Sequence, residues 1–394
     1  MMSLLVWMAG FSSGSQAWRD ENCEIPVDGE VDWKGELVFA SRTDLLLISK
    51  EGFQSFPLDL EEDQNFDIYQ AFLSPDNKYI AAKAYNHSDD EVTKLVLYNL
   101  EGEIVHVWDL DGRDFAGWNG DEQILISPYP DPPFMYPTTF LNIYTGQMTT
   151  PFEDRNDLPP VSEMLDYTNR GSSTHWGQWR EVFSPNQKYV FYYAETLPSE
   201  QFSMDLTLVD FERRQVIWQR NNPFGLPNYP EWSPTSDAVV YEIFAPENNI
   251  PELEKLEIYA EKLLMVTTSG VEITLGAGVQ QGWTTQWSSD GNKVAFYANG
   301  LDMSRLIETD PVSKMIDFVP IKLYVFDTSE LPHTSLLQCV QASGSAFRWN
   351  PEGNQVVMIN PPIILDLVTG NQESIPLPDD SQFFQLIGWI KDNQ

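Results

Sequence analysis

One phrase recurs along the chain, and few folds accommodate it. An apolar or aromatic residue is followed by a tight turn rich in Ser, Pro, Asn, Asp and Gly, then by a β-rich run. It reads "FLSPDNKYIAAKAY" from Phe72, "WNGDEQILIS" from Trp118, "FSPNQKYVFYYA" from Phe183, "WSPTSDAVVYEI" from Trp232, "WSSDGNKVAFYA" from Trp287 and "WNPEGNQVVMIN" from Trp349. The anchors Leu73, Trp118, Phe183, Trp232, Trp287 and Trp349 lie 45, 65, 49, 55 and 62 residues apart. Repeats of about 40–50 residues, lengthened by insertions, are the spacing of propeller blades. Each anchor ends one strand, and the turn residues supply the backbone angles of a reversal. The β-branched and aromatic run after it suits a second strand. Runs such as "KLVLYNL", "LTLVDF", "KLLMVTT", "IKLYVFD" and "IILDLVTG" supply a third strand, and a short turn and a fourth strand close the unit.

The two ends complete one another. "QLIGWIKDN", with an anchor at Trp389, reads as a first strand and its turn. Near the start, "ELVFAS", "DLLLIS" and "FQSFPL" read as three strands without a first, and Trp33 stands at the equivalent turn. Joined, they make a blade shared between the termini, which closes the ring without an unpaired edge. The expectation is an all-β, seven-bladed β-propeller over residues 31–394, with six or eight blades as neighbouring alternatives.

The phrases "FSPNQKYVFYYA", "WSPTSDAVVYEI" and "WSSDGNKVAFYA" resemble the WD40-like repeats of TolB-type propellers. The resemblance covers nearly all of the chain after about residue 31. There is no room for the separate N-terminal α/β domain of full TolB proteins, nor for the C-terminal hydrolase domain of prolyl oligopeptidase relatives. The resemblance implies a rigid platform, usually outside the cytoplasm, that binds proteins, peptides or small ligands.

In such a blade the first-to-second and third-to-fourth turns share one face, and the remaining connections share the other. The first set is uniformly tight: "SPDN", "NGDE", "SPNQ", "SPTSD", "SSDG", "NPEG", "IKDN". Most of the third-to-fourth turns ("KEG", "LEG", "YTG", "TSG", "VTG") are tight too. The extra length falls at 127–138, 152–178, 245–262 and 299–318, all on the opposite face. Pro251 suits the first turn of a short helix within 245–262. Long connections in compact domains are commonly functional, so this is the expected working face. Four residues before each anchor, where inner strands begin on that face, stand Tyr69, Asp114, Trp179, Asn228, Trp283, Ser345 and Gln385. Aromatic surfaces with polar groups can stack a sugar ring or grip a peptide. Packing between blades is the competing role for each of them.

Charge narrows the partners. Asp and Glu number 59 against 23 Lys and Arg, a formal charge of -36, which repels phosphate backbones and anionic membrane surfaces. Cys23 and Cys339 could pair, tying the N-terminal arm to a late part of the fold, or stand as two free thiols. Residues 1–17 resemble a secretory signal: an apolar run from Leu4 to Phe11, then Ser15 and Ala17 before Trp18. No Lys or Arg precedes that run, which leaves open a start upstream or an apolar N-terminal arm in its place, and residues 18–30 read as the N-terminal arm before the propeller. No other segment has the length and apolarity of a transmembrane helix. The expected location is extracytoplasmic, periplasmic or secreted.

Motifs of chemistry are sparse. There is no G-x-S-x-G elbow, phosphate-cradling glycine loop or H-E-x-x-H. His87, His106, His175 and His333 show no metal-ligand spacing, although His175 falls on the long-connection face, in "THWGQW". "WDLDGRD" brings Asp109, Asp111 and Asp114 around Gly112, a composition calcium favours. The run lacks EF-hand spacing and the distal Glu, and a turn between strands needs no metal, so no cofactor is expected. The leading expectation is a non-enzymatic module binding a protein, peptide or glycan, as a monomer or within a complex. The alternative is a hydrolase or lyase with its site at the tunnel mouth, since this fold hosts both.

Overall fold

The computed structural model describes residues 23–57, 66–86, 93–110, 113–119, 121–127, 139–149, 179–196, 203–222, 230–244, 260–300, 322–341, 346–359, 362–377 and 385–390. Seven four-stranded antiparallel blades surround an axis, with no helix among the described residues. The inner strands are Phe66–Leu73, Asp114–Asn119, Trp179–Phe183, Glu231–Trp232, the end of Glu272–Trp287, Ala346–Trp349 and Gln385–Ile390, here blades 1 to 7. Blade 7 is the shared one: Gln385–Ile390 pairs with Glu36–Ala40, followed outward by Asp44–Ser49 and Gly52–Pro57. The last strand of the chain thus fastens the first blade strands, and the ring has seven members, not six or eight. The proposed helix within 245–262 lies almost wholly outside the described residues.

Two features depart from the sequence expectation. Between blades 4 and 5 no connection intervenes. The 16-residue strand Glu272–Trp287 is the outer strand of blade 4 and runs straight into the inner strand of blade 5. The N-terminal arm is also no simple tether. Glu24 bridges Val340, and Val27–Asp28 pairs in parallel with Asn371–Ser374, adding a fifth strand to blade 6. Cys23 and Cys339 are joined in a disulfide, their Cα atoms 4.7 Å apart, and both lie in the core between blades 4 and 5. Parallel pairing of an arm against the outer strands of two blades shields edges that would otherwise template aggregation.

The apolar core is divided among the blade junctions. Phe191, Leu206 and Leu208 of blade 3 meet Trp232, Tyr241 and Leu264 of blade 4. Val38, Leu45 and Leu47 of blade 7 meet Ala82, Val96 and Tyr98 of blade 1. Residues alternate along each strand, so one face of a blade packs on its predecessor and the other on its successor. Each large apolar side chain buried this way contributes about 1.5–3 kcal/mol.

The first-to-second turns share one chemistry. Ser74, Ser184, Ser233, Ser288 and Asn350 open them, and each side-chain oxygen accepts from backbone N–H groups four or five residues on. The fourth residue closes a β-turn to the first carbonyl and adopts positive φ: Asn77 (57°), Gln187 (58°), Ser236 (65°), Gly291 (71°) and Gly353 (66°). This is a type I turn followed by a left-handed residue, a common hairpin reversal.

Candidate functional site at the axial channel

The anchors hold the inner strands together near the short-turn face. The indole Nε1 of Trp118 donates to the Phe72 carbonyl (3.1 Å), Trp232 to Val182 (2.8 Å), Trp287 to Glu231 (3.3 Å) and Trp349 to Gln286 (3.2 Å). Each acceptor is the residue immediately before the anchor of the preceding blade. The anchor indole therefore spans the junction and satisfies its one donor on a carbonyl of the neighbouring inner strand. Blade 7 closes differently: Trp389 donates to the Lys34 carbonyl (2.8 Å) and meets Trp33 edge-to-face with ring centroids 6.1 Å apart.

At the long-connection end, Tyr69 of the expected mouth set is described fully. It is the extra residue of a β-bulge between Ile68 and Gln70, which turns its ring outward to 74% exposure. Bulges re-aim side chains in this manner. The ring has Lys83 Nζ 5.3 Å from its centroid, a cation–π geometry. Lys83 itself is buried. Asp114 and Trp179 begin their inner strands, and Trp283 pairs with Ala298, but their side chains fall outside what is described. Asn228 and Ser345 lie outside the described residues, as do His175 and Asp111. Gln385 takes the structural role: its Oε1 accepts from the Ala71 N–H of the next blade at 3.2 Å.

Sequence reasoning missed two sets. Nine positions after the turn serine, midway along the second strand, stand Lys83, Glu242 and Tyr297, all buried among apolar neighbours. A polar residue interrupting an otherwise apolar strand was the available signal. The second set is Glu231, Gln286 and Arg348, the residues before the anchors of blades 4, 5 and 6, each half-buried on an innermost strand. Burial pushes the Glu231 carboxyl up to about 7, although the Arg348 charge and the Trp287 backbone N–H both favour its ionised form. Burial draws the Arg348 guanidinium below its ordinary value, and Glu231 works against that. Desolvation thus outweighs the attraction between the pair.

Among the described residues no group of three metal-ligating side chains occurs, and no helix is long and apolar enough to cross a membrane. No family model matches the chain, and no curated protein matches it. Solved structures do. The tricorn protease aligns over 92% of this chain and 34% of its own, at 10% identity and TM-score 0.50. An oligogalacturonate lyase in complex with manganese aligns over 88% of this chain and 87% of its own (11% identity, TM-score 0.49). The oligogalacturonate lyase of Vibrio parahaemolyticus covers 87% and 86% (12% identity, TM-score 0.46). Likeness at such identities speaks for the fold alone. The chain is a WD40-like, seven-bladed β-propeller.

Proposed function

We propose that this propeller is an exported, non-enzymatic binding module of the TolB type, which takes a protein, peptide or glycan on its long-connection face. The observation that carries the reading is the asymmetry of the two faces. With the blade topology established, the connections between second and third strands, and between blades, share one face. That face carries the 127–138, 152–178, 245–262 and 299–318 connections, while nearly all the turns of the other are tight. A rigid ring presenting long connections is how scaffolds position recognition residues. Tyr69, Asp114, Trp179, Asn228, Trp283 and Ser345 form the floor of the site in this reading, and Tyr69, turned outward by its bulge, offers its ring to a ligand there. The disulfide is compatible with an oxidising, extracytoplasmic compartment.

The test is capture from the native extracellular or envelope fraction, with the intact protein beside a folded Trp179→Ala, Trp283→Ala double variant. A partner kept by the intact protein and lost by the variant supports the module and its face. A partner held equally by both moves the site away from the mouth. No partner at all favours an enzyme, a hydrolase or lyase, and substrate screening follows.

A further inference from the structure

The N-terminal arm is buried at two ends and exposed between them. Cys23 is buried between blades 4 and 5, and Val31 and Trp33 are buried with Leu37, Ile375 and Trp389 where blade 6 meets blade 7. From Glu24 to Glu30 every residue lies at the surface except half-buried Pro26, and Ile25 and Val27 are 71% and 64% exposed. The segment runs along the outer rim, over the outer strand of blade 5 and then that of blade 6.

Its attachment between those ends is polar. On blade 5, the Glu24 N–H donates to the Cys339 carbonyl (2.9 Å) and the Gln341 N–H to the Glu24 carbonyl (2.8 Å). On blade 6, the Val27 N–H donates to the Gly370 carbonyl (3.1 Å) and the Gly29 N–H to the Gln372 carbonyl (3.0 Å). The amides of Gln338 and Gln372 donate to the Glu24 and Asp28 carboxylates at 3.4 and 2.8 Å. Each such bond stabilises only slightly in water, because the separated groups bond to solvent instead. It must also offset the entropy of ordering the residues that make it. With no apolar side chain buried from 24 to 30, the two effects come close to balance. The covalent bond from Cys23 to Cys339 tips that balance toward the docked arm.

The ring does not depend on this cover. Among the described residues, no strand is added to the outer edges of blades 1, 2, 3 and 7, which are complete at four strands. Closure rests on Gln385–Ile390 pairing with Glu36–Ala40 and on Trp389 against Trp33 and the Lys34 carbonyl. All of these lie beyond the exposed Gly29–Glu30 stretch in the chain.

We propose that residues 23–30 form a redox-released strap. It is locked across blades 5 and 6 while Cys23 and Cys339 are joined, and it detaches when they are reduced, with the seven blades intact. The reductant is a dithiol. One of its thiolates attacks a cysteine sulfur, the Cys23–Cys339 bond breaks and a mixed disulfide forms. Its second thiol displaces that cysteine and closes the reductant's own disulfide, so two electrons and two protons end on Cys23 and Cys339 as thiols. Detachment uncovers the Cys339 thiol and carbonyl, the Gln341 N–H and the Gly370 and Gln372 carbonyls, the groups that the locked strap occupies.

The test is amide hydrogen exchange on the oxidised protein, on the same protein treated with dithiothreitol without denaturant, and on Cys23→Ser. Protection at Glu24, Val27, Gly29 and Gln341 is expected to fall roughly tenfold or more in the second and third samples, while second-strand amides of the blades keep theirs. Unchanged protection at those four amides overturns the strap, since the hydrogen bonds then hold the arm alone. Protection lost across the blades together with the arm overturns it too, because the disulfide then staples the whole fold. A disulfide that dithiothreitol leaves intact in the folded protein, or two free thiols before reductant is added, has the same force. Should Cys23→Ser not fold during synthesis, the dithiothreitol-treated wild type, its two thiols counted by alkylation, decides. The reading of the long-connection face stands or falls separately, because the strap lies on the outer rim.

Discussion

The two faces of the ring are made by opposite rules. On the short-turn face, five reversals repeat one design, with a Ser or Asn side chain capping the backbone and a left-handed fourth residue. Neighbouring turns also touch: Asn186 N–H donates to Ser236 Oγ (3.1 Å), Ser289 Oγ to the Pro351 carbonyl (2.8 Å) and Lys293 Nζ to the Gly353 carbonyl (2.7 Å). Here each residue answers to a backbone or neighbour that constrains it. The other face carries connections of unequal length and composition, joined to strands whose pairing is complete without them. Among the described residues, the short-turn face is fixed by a repeated hydrogen-bond pattern, and chain length accumulates opposite it. Loop-closure entropy grows only slowly with length, which is why such variation costs the ring little.

The contrast can be attacked from its strongest side first. Trp389→Ala removes the buried anchor of the closing blade, its edge-to-face contact with Trp33 and its bond to the Lys34 carbonyl. A loss of about 3–5 kcal/mol is expected in urea unfolding. A loss under about 1 kcal/mol would place closure elsewhere.

Glu231→Gln probes a half-buried carboxyl beside an anchor at the same end. The folded carboxyl titrates at about 7 against a usual 4.5, so the native state holds its proton longer than the unfolded chain does. Stability of the wild type therefore falls as pH rises from the unfolded value through the folded one. The groups facing Glu231 are Arg348 and the Trp287 N–H, and neither reverses that sign. The variant is expected to match the wild type in acid and to exceed it above neutrality by at most about 3 kcal/mol. Parallel pH–stability curves would refute this.

Ser288→Ala removes a hydroxyl that donates to Asp290 and accepts the Lys293 N–H, and about 1–2 kcal/mol is expected. Asp290 is held below its ordinary value by Ser288 and Asn292 against the opposing effect of burial, so it is expected to titrate higher in the variant. The smallest effect belongs to the other face. Shortening the 299–318 connection is expected to shift unfolding by under about 0.5 kcal/mol while weakening partner capture. Unchanged capture would count against that face as the working one.

Much of the fold could be read from Trp118, Trp232, Trp287 and Trp349, because an anchor, a turn and a β-rich run are local signals repeated many times. The blade shared by Trp33 and Trp389 was legible for the same reason. The arm was not: "CEIPVDG" has no alternation of its own, and its pairing with blades 5 and 6 depends on edges built far along the chain. At the mouth, Tyr69 was legible as an inner-strand start, but its outward turn came from a bulge that no residue type announces.

What the sequence determined by itself was everything set within one turn or one strand: the seven units, their reversals and the face on which length accumulates. Those depend on φ preferences and on the period of two along a strand, which neighbours in sequence decide. Only the tertiary structure decided which side chains from different blades face one another. Nothing in the sequence sets Glu231, Gln286 and Arg348 apart beside their anchors. Ring closure sets their inner strands side by side, and burial there raises the Glu231 carboxyl and lowers the Arg348 guanidinium.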